Sequence, residues 1–384
     1  MTHFRSQLVS FGLSLGLLLP QCTLVEHVAS QKSAALRPLS RDECRTELID
    51  QADLSTVPRA AEQSLEYYRR LPEDRALPLL DRTVSVRGLR SVIESLFAQP
   101  LKPGDVAALC DRFVLTKATP SQPLLVTGYY EPELEARRRR GGRFRYPLYA
   151  LPDDLVEVEL STFCPTCGDK RGVGRVRDGQ LVPYCSRAEI DAGAIDGHAA
   201  VIAWLDDPVE VFVLHLQGSA LLHFDDGVHV HISVNGSNGR PYTSISRALV
   251  DAGKLSAEHV SLASLKDYLR AHADERDALV QRNERYIFFR TVPAGPVGSL
   301  AVPLTAGRSL AADAHIYPTG ALVLLKTASE GGAAGLSRLA FVQDTGATIT
   351  GDHRLDVFWG TGDTAAAIAS GMRAPGELYF LLPR

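Results

Sequence analysis

The hydrophobic pattern of the chain changes near residue 120. Between residues 44 and 115, segments such as AAEQSLEYYRRL and RGLRSVIESLFAQ carry apolar residues three and four positions apart, the spacing of one face of an α-helix. From about Leu124 onward, short runs that alternate apolar and polar positions are separated by Gly and Pro, a pattern typical of β-strands. The sequence therefore predicts N-terminal helices followed by a mainly β region.

Two groups of strands are predicted, with helices between them. The first group comprises PLLVTGYYEPELEA, FRYPLYALP, VEVFVLHLQGSALLHF and GVHVHISVNGSNGRPY, and the second comprises RYIFFRTV, SLAVPLTAG, GALVLLKT and RLAFVQDTG. Between them, SISRALVDAGKL and SLASLKDYLRAHADERDALVQRN have helical spacing. The Gly-Ala-Ser stretch 329–337 predicts a hairpin or loop. The simplest architecture is a barrel with a second β-domain.

Composition adds size and charge to this picture. The 384 residues, 45% of them hydrophobic, suffice for two domains of ordinary size or for one large domain with an insertion. The net charge of -4 provides no general attraction for nucleic acid, and we interpret the basic run 137–140 as a solvated turn. We therefore expect no nucleic-acid partner.

The N-terminal segment, residues 1–22, predicts a signal peptide and hence export. Its apolar run LVSFGLSLGLLLP, residues 8–20, is too short to span a bilayer. Cys22 follows this run at the position where a bacterial lipoprotein carries its lipidated cysteine, although Gln21 is bulkier than the usual residue before it. Cys22 is therefore a candidate lipidation site that would tether the mature protein by acyl chains.

The other cysteines include the motif CPTCG, with Cys164 and Cys167, followed by Cys185. A zinc site would need Asp169 or His198 as a further ligand, and in an exported chain a disulfide is the alternative. A structural staple of either kind is favoured over catalytic use. The remaining cysteines are Cys44 and Cys110, and the alternating histidines His229 and His231 are interpreted as one face of a strand rather than a metal site.

Four aspartates lie in the segment QDTGATITGDHRLDVFWGTGD, residues 343–363. Asp363 precedes the Ala-rich run TAAAIASGM and is predicted to cap that helix. Asp344, in DTG, is predicted to bond the amides of a turn, and Asp352, in GDH, to face solvent. Asp356 differs because Leu355 and the residues Val-Phe-Trp at 357–359 flank it.

Apolar surroundings of this kind raise the pKa of a carboxyl group and keep it protonated, as a general acid requires. We therefore favour Asp356 as an acid over a buried structural role, with Trp359 as an apolar wall or a sugar-stacking platform. An aspartic protease is disfavoured because it needs two DTG-type loops and this chain has one.

Ordered motifs run from residue 127 towards the C-terminus: TGYYEPELEA, FRYPLYALPDDL, SRAEIDAGAI, DPVEVFVLHLQGS, NGRPYTSISRALV, RYIFF, GPVGSLAVPLTAGRSLA and QDTGATITGDHRLDVFWGTGD. These motifs resemble those of the membrane-bound lytic murein transglycosylase A family. Their order and spacing cover about two-thirds of the chain, which makes the set specific although each motif alone is weak.

The resemblance implies a mainly β fold with N-terminal helices, in which a double-psi β-barrel carries a second, inserted β-domain and substrate lies in the groove between the two. The implied parts are a signal peptide at 1–22, a helical part leading into the barrel at 23–130, the inserted domain at 131–285 and the C-terminal part of the barrel, called the 3D domain, at 286–384.

The resemblance also implies an activity. The family cleaves the β-1,4 bond between N-acetylmuramic acid and N-acetylglucosamine of peptidoglycan without water and leaves a 1,6-anhydromuramyl end. Its catalytic acid falls on Asp356, with Asp344 and Asp363 as supporting acids. The candidate substrate-binding residues are Tyr129, Tyr130, Glu131, Gln217, Ser219 and Trp359.

The expected setting is the periplasm, with lipidated Cys22 as a candidate anchor to the outer membrane. We expect a monomer that acts on peptidoglycan glycan strands without a cofactor or a metal. Two other functions remain open from the residues: a glycan-binding barrel without catalysis, and a glycosidase that uses water with Asp344 as the second carboxylate.

Overall fold

The structure is a computed structural model that describes residues 34–384 except 103, 165, 167–170, 259, 329–334 and 347. The strands are β1 (Ala35–Pro38), β2 (Ala76–Leu79), β3 (Arg82–Ser85), β4 (Phe113–Thr119), β5 (Leu124–Glu131), β6 (Glu133–Ala136), β7 (Tyr146–Tyr149), β8 (Val156–Glu159), β9 (Arg171–Arg177), β10 (Gln180–Pro183), β11 (Val201–Leu205), β12 (Ser219–Phe224), β13 (His229–Ser237), β14 (Ile287–Val292), β15 (Ser309–Ala311), β16 (Leu322–Thr327), β17 (Ser337–Asp344), β18 (Arg354–Thr361) and β19 (Arg373–Pro383). The α-helices are α1 (Arg41–Glu47), α2 (Val57–Arg69), α3 (Val86–Ala98), α4 (Leu109–Arg112), α5 (Arg187–Asp191), α6 (Pro208–Gln217), α7 (Ile245–Asp251), α8 (Leu262–Ala271), α9 (Ala273–Gln281) and α10 (Gly362–Gly371).

Strands from two separate parts of the chain close into a barrel. The order around the ring is β5, β18, β15, β17, β16 and β19, and β19 pairs again with β5. β5 runs parallel to β18 and β15 parallel to β17, whereas the other pairs of the ring are antiparallel. β5 precedes the middle of the chain and the other strands of the ring follow it, so the barrel forms only when the two parts meet.

A second β region lies between β5 and β15 in the sequence. It contains a sheet in the order β14, β13, β12 and β6, a sheet of β8, β9 and β10, and the pair of β7 and β11. Leu222, Ile232 and Phe289 belong to a core that this region buries for itself. The predicted mainly β fold with a barrel and an inserted β region is confirmed, and the predicted domain boundaries stay a prediction.

The N-terminal helices cover the barrel. Leu65 of α2 and Val92 of α3 belong to the same buried cluster as Leu324 and Phe341 of the barrel strands. Gln343 of β17 is fully buried and donates from Nε2 to the backbone oxygen of Ala60 at 2.6 Å. The helices therefore complete the barrel core and satisfy its buried polar groups.

A buried ion pair joins the chain before α2 to the strand β15. Arg308, which is 1% exposed, directly precedes β15, and its guanidinium pairs with the carboxylate of Asp50, which is 0% exposed. Arg308 also donates to Thr56 Oγ1 at 2.9 Å, to the oxygen of Asp53 at 2.8 Å and to the oxygen of Leu339 at 2.6 Å. The N–H donors of the arginine are thereby satisfied inside the protein.

The segment VEVFVLHLQ, predicted as part of a strand, is the helix α6, so that prediction is wrong. Asp207 caps the helix by accepting from the backbone N–H of Val209 at 2.8 Å, and Gly218 ends it at a φ of 84°. Val209 and Leu214 pack into two different apolar clusters. Because α6 is apolar on more than one side, the helical period is hidden in its sequence.

Two further segments differ from the prediction. The region 44–115, predicted as helical, also contains the hairpin of β2 and β3. The segment 299–307, predicted as a strand, forms turns before β15, and Ala301 has a φ of 55° there. A left-handed residue of this kind interrupts an extended strand.

Three of the described cysteines are disulfide-bonded. Cys44 and Cys110 form a disulfide that ties α1 to α4, and Cys164 is also disulfide-bonded, so it is not a thiolate ligand for zinc. Cys185 is free and buried, and burial raises the pKa of its thiol. Of the two further zinc ligands considered, Asp169 lies outside the described residues, and Nδ1 of His198 lies 3.1 Å from Oδ1 of Asp153.

The predicted signal peptide and Cys22 lie outside the described residues, as does most of the Gly-Ala-Ser stretch. No helix in the described part of the chain is both long and apolar enough to cross a membrane.

We expect Asp50→Ala to lower the free energy of unfolding by about 3–5 kcal/mol, because it leaves the guanidinium of Arg308 buried without its counter-charge. Chemical denaturation measures the loss. Glu62→Ala is the matched control, since its ion pair with Arg69 is exposed and is expected to contribute less than about 1 kcal/mol. Equal losses in the two variants would contradict the importance of the buried pair.

Candidate active site

Asp356 lies within a row of residues that crosses the barrel wall. It pairs directly with Thr127 of β5 on one side and with Ala311 of β15 on the other. Ala311 in turn pairs with Asp344 at the end of β17. Directly paired residues of neighbouring strands project to the same side of a sheet, so this pairing brings together side chains that are far apart in the sequence.

The row faces away from the barrel core. Leu355 and Val357, the neighbours of Asp356, are each 0% exposed and belong to the barrel core. Because side chains alternate along a strand, Asp356 projects to the opposite side together with Arg354 and Phe358. Because Leu355 and Val357 point into the barrel core, the side chain of Asp356 between them points outward.

The carboxyl group of Asp356 is largely buried but remains accessible. Its side chain is 17% exposed, accepts a hydrogen bond from the hydroxyl of Thr127 at Oδ1, and lies 3.8 Å from Nε of Arg354. Burial raises the pKa of Asp356, while Thr127 and the positive charge of Arg354 act in the opposite direction. Asp356 thus keeps its proton to a higher pH than a solvated aspartate does.

Asp344 has both carboxylate oxygens occupied. Oδ2 accepts from the hydroxyl of Tyr129 at 2.8 Å, and Oδ1 accepts from the backbone N–H groups of Ser299 at 2.8 Å and Thr345 at 2.9 Å. Burial raises the pKa of Asp344, and these hydrogen bonds lower it. The arrangement fixes the ring of Tyr129, which also packs against Phe358 with a centroid distance of 5.3 Å.

Two of the four aspartates are placed differently from the prediction. Asp363 does not cap α10, because the N-cap is Thr361 and Asp363 lies exposed within the first helical turn, where its charge suits the helix dipole. Asp352 does not face solvent, because it is 8% exposed and accepts from the backbone N–H of Ser121 at 2.6 Å and from its hydroxyl at 2.8 Å. The sequence could not reveal Ser121, a partner 231 positions away.

Trp359 is not the wall beside Asp356. It packs against the barrel core on the other side of β18, with Arg338 over its ring at 4.9 Å and its Nε1 donating to Met372 Sδ at 3.2 Å. A Cβ atom on Gly128 would lie 2.8 Å from the indole, so glycine is needed there. The aromatic side chains on the face of Asp356 are those of Tyr129 and Phe358.

Glu131 is buried rather than available to a ligand. Its side chain is 0% exposed, and its oxygens contact Thr361 Oγ1 at 2.8 Å and His231 Nδ1 at 3.2 Å. Burial raises the pKa of Glu131, and both partners lower it. This carboxylate joins the inserted sheet to the end of the strand that carries Asp356, which argues against direct contact with sugar.

The other candidate substrate-binding residues lie where the inserted region approaches β5. Tyr130 is partly buried, and its pKa is raised by burial and by the charges of Glu210 on α6 and Asp363. Gln217 is the last residue of α6 and Ser219 the first of β12, and both are partly exposed. Glu210 and Gln217 are seven positions apart on α6, a distance of about 10 Å along the helix axis.

Thr127 and Arg354 were not selected from the sequence, although both contact Asp356. Arg354 had a signal available, because a residue two positions from Asp356 on a strand shares its face. Thr127 had none, because its contact depends on the parallel pairing of β5 with β18 across 229 positions.

Comparison with known proteins shows the family to which this chain belongs. Residues 125–290 match the MltA specific insert domain and residues 308–382 match the 3D domain. Membrane-bound lytic murein transglycosylase A of Vibrio cholerae is 30% identical over 305 residues, which span 76% of this chain and 75% of that protein. The chain belongs to the membrane-bound lytic murein transglycosylase A family. It is a peptidoglycan lytic transglycosylase of the cell envelope.

Solved structures share the fold. A membrane-bound lytic murein transglycosylase from Agrobacterium tumefaciens has a TM-score of 0.81 and 28% identity, covering 91% of this chain and 98% of that one. The MltA of Escherichia coli with bound chitohexaose has a TM-score of 0.65 and 21% identity, covering 92% of this chain and 95% of that one. The second similarity concerns the fold alone.

We expect Thr127→Val to move the alkaline limb of the pH profile of kcat/KM to higher pH. Its hydroxyl stabilises the carboxylate of Asp356, so removing it raises the pKa of that group further. A general acid works only while protonated, so activity is lost as the pH rises through this pKa. Thr291→Val, on the exposed side of β14, is the control. An unchanged alkaline limb in Thr127→Val would contradict the predicted role of Asp356 as the general acid.

Proposed function

We propose that Asp356 carries out both proton transfers of the lytic reaction. Its combination of burial, residual exposure and a raised pKa supports this role, since a general acid must hold a proton and still reach the substrate. The position outside the barrel core, beside Tyr129 and Phe358, leaves one side of the carboxyl group for a sugar.

The proposed reaction needs no water and no second carboxylate. Asp356 donates its proton to the glycosidic oxygen as the bond from that oxygen to C1 of N-acetylmuramic acid breaks. The C6 hydroxyl of the same sugar then bonds to C1, and the Asp356 carboxylate accepts the proton of that hydroxyl. The products are a free hydroxyl on one strand and a 1,6-anhydromuramyl end on the other, and Asp356 is again protonated. Holding the C6 hydroxyl near C1 favours ring closure over hydrolysis.

A glycosidase that uses water is the weaker alternative. It would need a second carboxylate free to activate water or attack the sugar. Asp344 is the nearest candidate by strand pairing, but it lies two strands from Asp356, about 10 Å by strand spacing, and its oxygens are engaged by three hydrogen bonds. We therefore propose that Asp344 supports the site by orienting Tyr129.

A glycan-binding barrel without catalysis is also disfavoured. Binding alone does not need a partly buried carboxyl group with a raised pKa, such as that of Asp356. Perturbed pKa values of this kind cluster at functional sites.

We assign the substrate contacts to the residues around this face. The candidates on this side are Tyr129, Tyr130, Gln217 and Ser219, whereas Glu131, which is buried, and Trp359, which packs on the core side of β18, are proposed to support the strands. Asp363 would act near Tyr130 from the first turn of α10.

For the cellular setting, we propose a periplasmic monomer that Cys22, when lipidated, anchors to the outer membrane. Support comes from the apolar N-terminal run and from the membrane-bound relatives.

Asp356→Asn is expected to reduce turnover of purified peptidoglycan at least about 10³-fold, because the amide can neither donate nor accept the transferred proton. Mass spectrometry of the digest detects anhydromuropeptides, which weigh one water less than hydrolysed ends. Circular dichroism and glycan binding should be retained. Asp251→Asn, an exposed change on α7, is the control. Anhydro products released at the normal rate by Asp356→Asn would remove this residue from the mechanism.

Asp344→Asn separates the two catalytic schemes. We expect a slower enzyme, because the hydrogen bond that holds Tyr129 is weakened, with anhydro ends still the only product. A role as water-activating base predicts instead that the wild-type digest contains reducing ends and that these disappear in the variant.

A further inference from the structure

Two arginines flank Asp356 on the outer face of the barrel wall, and neither takes part in a proton transfer of the proposed reaction. Arg354 is two residues before Asp356 on β18 and therefore projects to the same side. Arg373, on β19, pairs directly with Thr127, which pairs directly with Asp356. Arg373 thus occupies the same row as the acid, two strands and about 10 Å away.

The exposure of β19 supports this direction. Arg373 and Pro375 are exposed, whereas Ala374 between them is buried. The side that carries Arg373 is therefore the outer side of the barrel, and the pairing of Pro375 with Leu125 and of Leu125 with Arg354 continues the same face. Both guanidinium groups border one patch of surface.

The protein itself does little to neutralise these charges. Within the described part of the chain, the side chain of Arg373 makes no hydrogen bond or ion pair. Among the residues that the structure describes, Arg354 forms its ion pair with Asp356 at 3.8 Å, and its Nε is buried with no hydrogen-bond partner there. The side chain of Arg354 as a whole is 35% exposed, so a ligand on the outer face can still reach it.

In the proposed mechanism Asp356 is protonated when the sugar binds, so Arg354 then faces a neutral acid. At that stage both arginines are available to an anion. Planar guanidinium groups suit carboxylates in particular, because they donate two parallel hydrogen bonds.

We propose that Arg354 and Arg373 form an anion-binding subsite that recognises a carboxylate carried by the muramyl residue of the substrate. This inference rests on the proposed role of Asp356, because it places the subsite beside the bond to be cut. Muramic acid carries a lactyl group on C3, whose carboxylate is free in strands without peptides, and peptide-bearing strands carry carboxylates further along the stem. A β-1,4-linked chain of N-acetylglucosamine has neither.

The subsite would distinguish murein from neutral glycans of the same linkage. It would hold the muramyl sugar by a group outside the reacting ring, so that binding energy from a remote contact positions the bond next to Asp356. A bound carboxylate would also offset the positive charge of Arg354, so that Arg354 would lower the pKa of Asp356 less.

The test measures binding rather than turnover, in the Asp356→Asn background, by isothermal titration calorimetry. Four ligands of equal sugar number are compared: peptide-free murein strands, the same strands with their carboxylates reduced to alcohols, peptide-bearing strands and chitooligosaccharide. We expect the charged peptide-free strand to bind roughly tenfold or more tightly than its reduced form, with a preference that weakens as salt rises.

Adding Arg354→Gln and Arg373→Gln should remove this preference while leaving the affinity for chitooligosaccharide within about twofold. Arg247→Gln, which removes an exposed charge on α7, is the matched control and should keep the preference. Arg354→Lys keeps the charge but not the planar fork and should retain part of it. Thermal denaturation checks that each variant is folded. Because Arg373 is exposed, Arg373→Gln alone should fold normally and still lower the preference for the native strand over its reduced form.

The outcomes separate the two proposals. Equal affinity for native and reduced strands would overturn the subsite whatever Asp356 does, and so would equal weakening of charged and neutral ligands. If only the peptide-bearing strands bound more tightly than chitooligosaccharide, the recognised carboxylate would belong to the peptide stem. That result would contradict a contact with the lactyl carboxylate. Cleavage by Asp356→Asn would overturn the proposed mechanism without affecting the comparison of native with reduced ligand.

Discussion

The buried guanidinium of Arg308 is the constraint on which the rest of the structure depends. Five hydrogen bonds from this side chain reach Asp50 twice, Asp53, Thr56 and Leu339. Their partners lie on the segment before α2 and on β17, and Arg308 itself leads into β15. Leaving any of these contacts unmade would bury part of a charge without compensation, so the three segments are held together.

This constraint reaches the active site through β15. The strand is only three residues long, and its last residue, Ala311, lies between Asp356 and Asp344 in the row across the barrel wall. A short strand has few ladder hydrogen bonds of its own, so its position relies on what precedes it. The network at Arg308 therefore helps to define the spacing of two carboxyl groups that come from different strands.

The sequence predicts local features of this fold better than long-range pairing. The short apolar runs bounded by Gly and Pro locate β5, β16 and β17, and Leu355 and Val357 mark Asp356 as the aspartate with an apolar background. The motifs that resemble a known family supply the barrel and the choice of acid. The partners of the acids could not be predicted, because Thr127 and Ser121 meet them through pairings across more than 200 positions.

The same distinction explains the errors at Trp359 and Asp363. Nearness to Asp356 in the sequence suggests a shared site for Trp359, and the position of Asp363 directly before TAAAIASGM suggests a helix cap. Strand alternation instead sends Trp359 to the core, and helix α10 begins one residue before Asp363, so that Thr361 takes the cap position. Nearness in sequence does not determine direction, whereas the period of the strand does.

The environment of Asp356 suits a group that must act first as an acid and then as a base. Burial alone would raise its pKa so far that the proton would be hard to give up, and full solvation would leave it ionised before the substrate binds. Here burial raises the pKa, and the hydroxyl of Thr127 and the charge of Arg354 hold it back. In the proposed mechanism one carboxyl group carries out both proton transfers, so a pKa between these extremes serves the two steps better than a value optimal for either one.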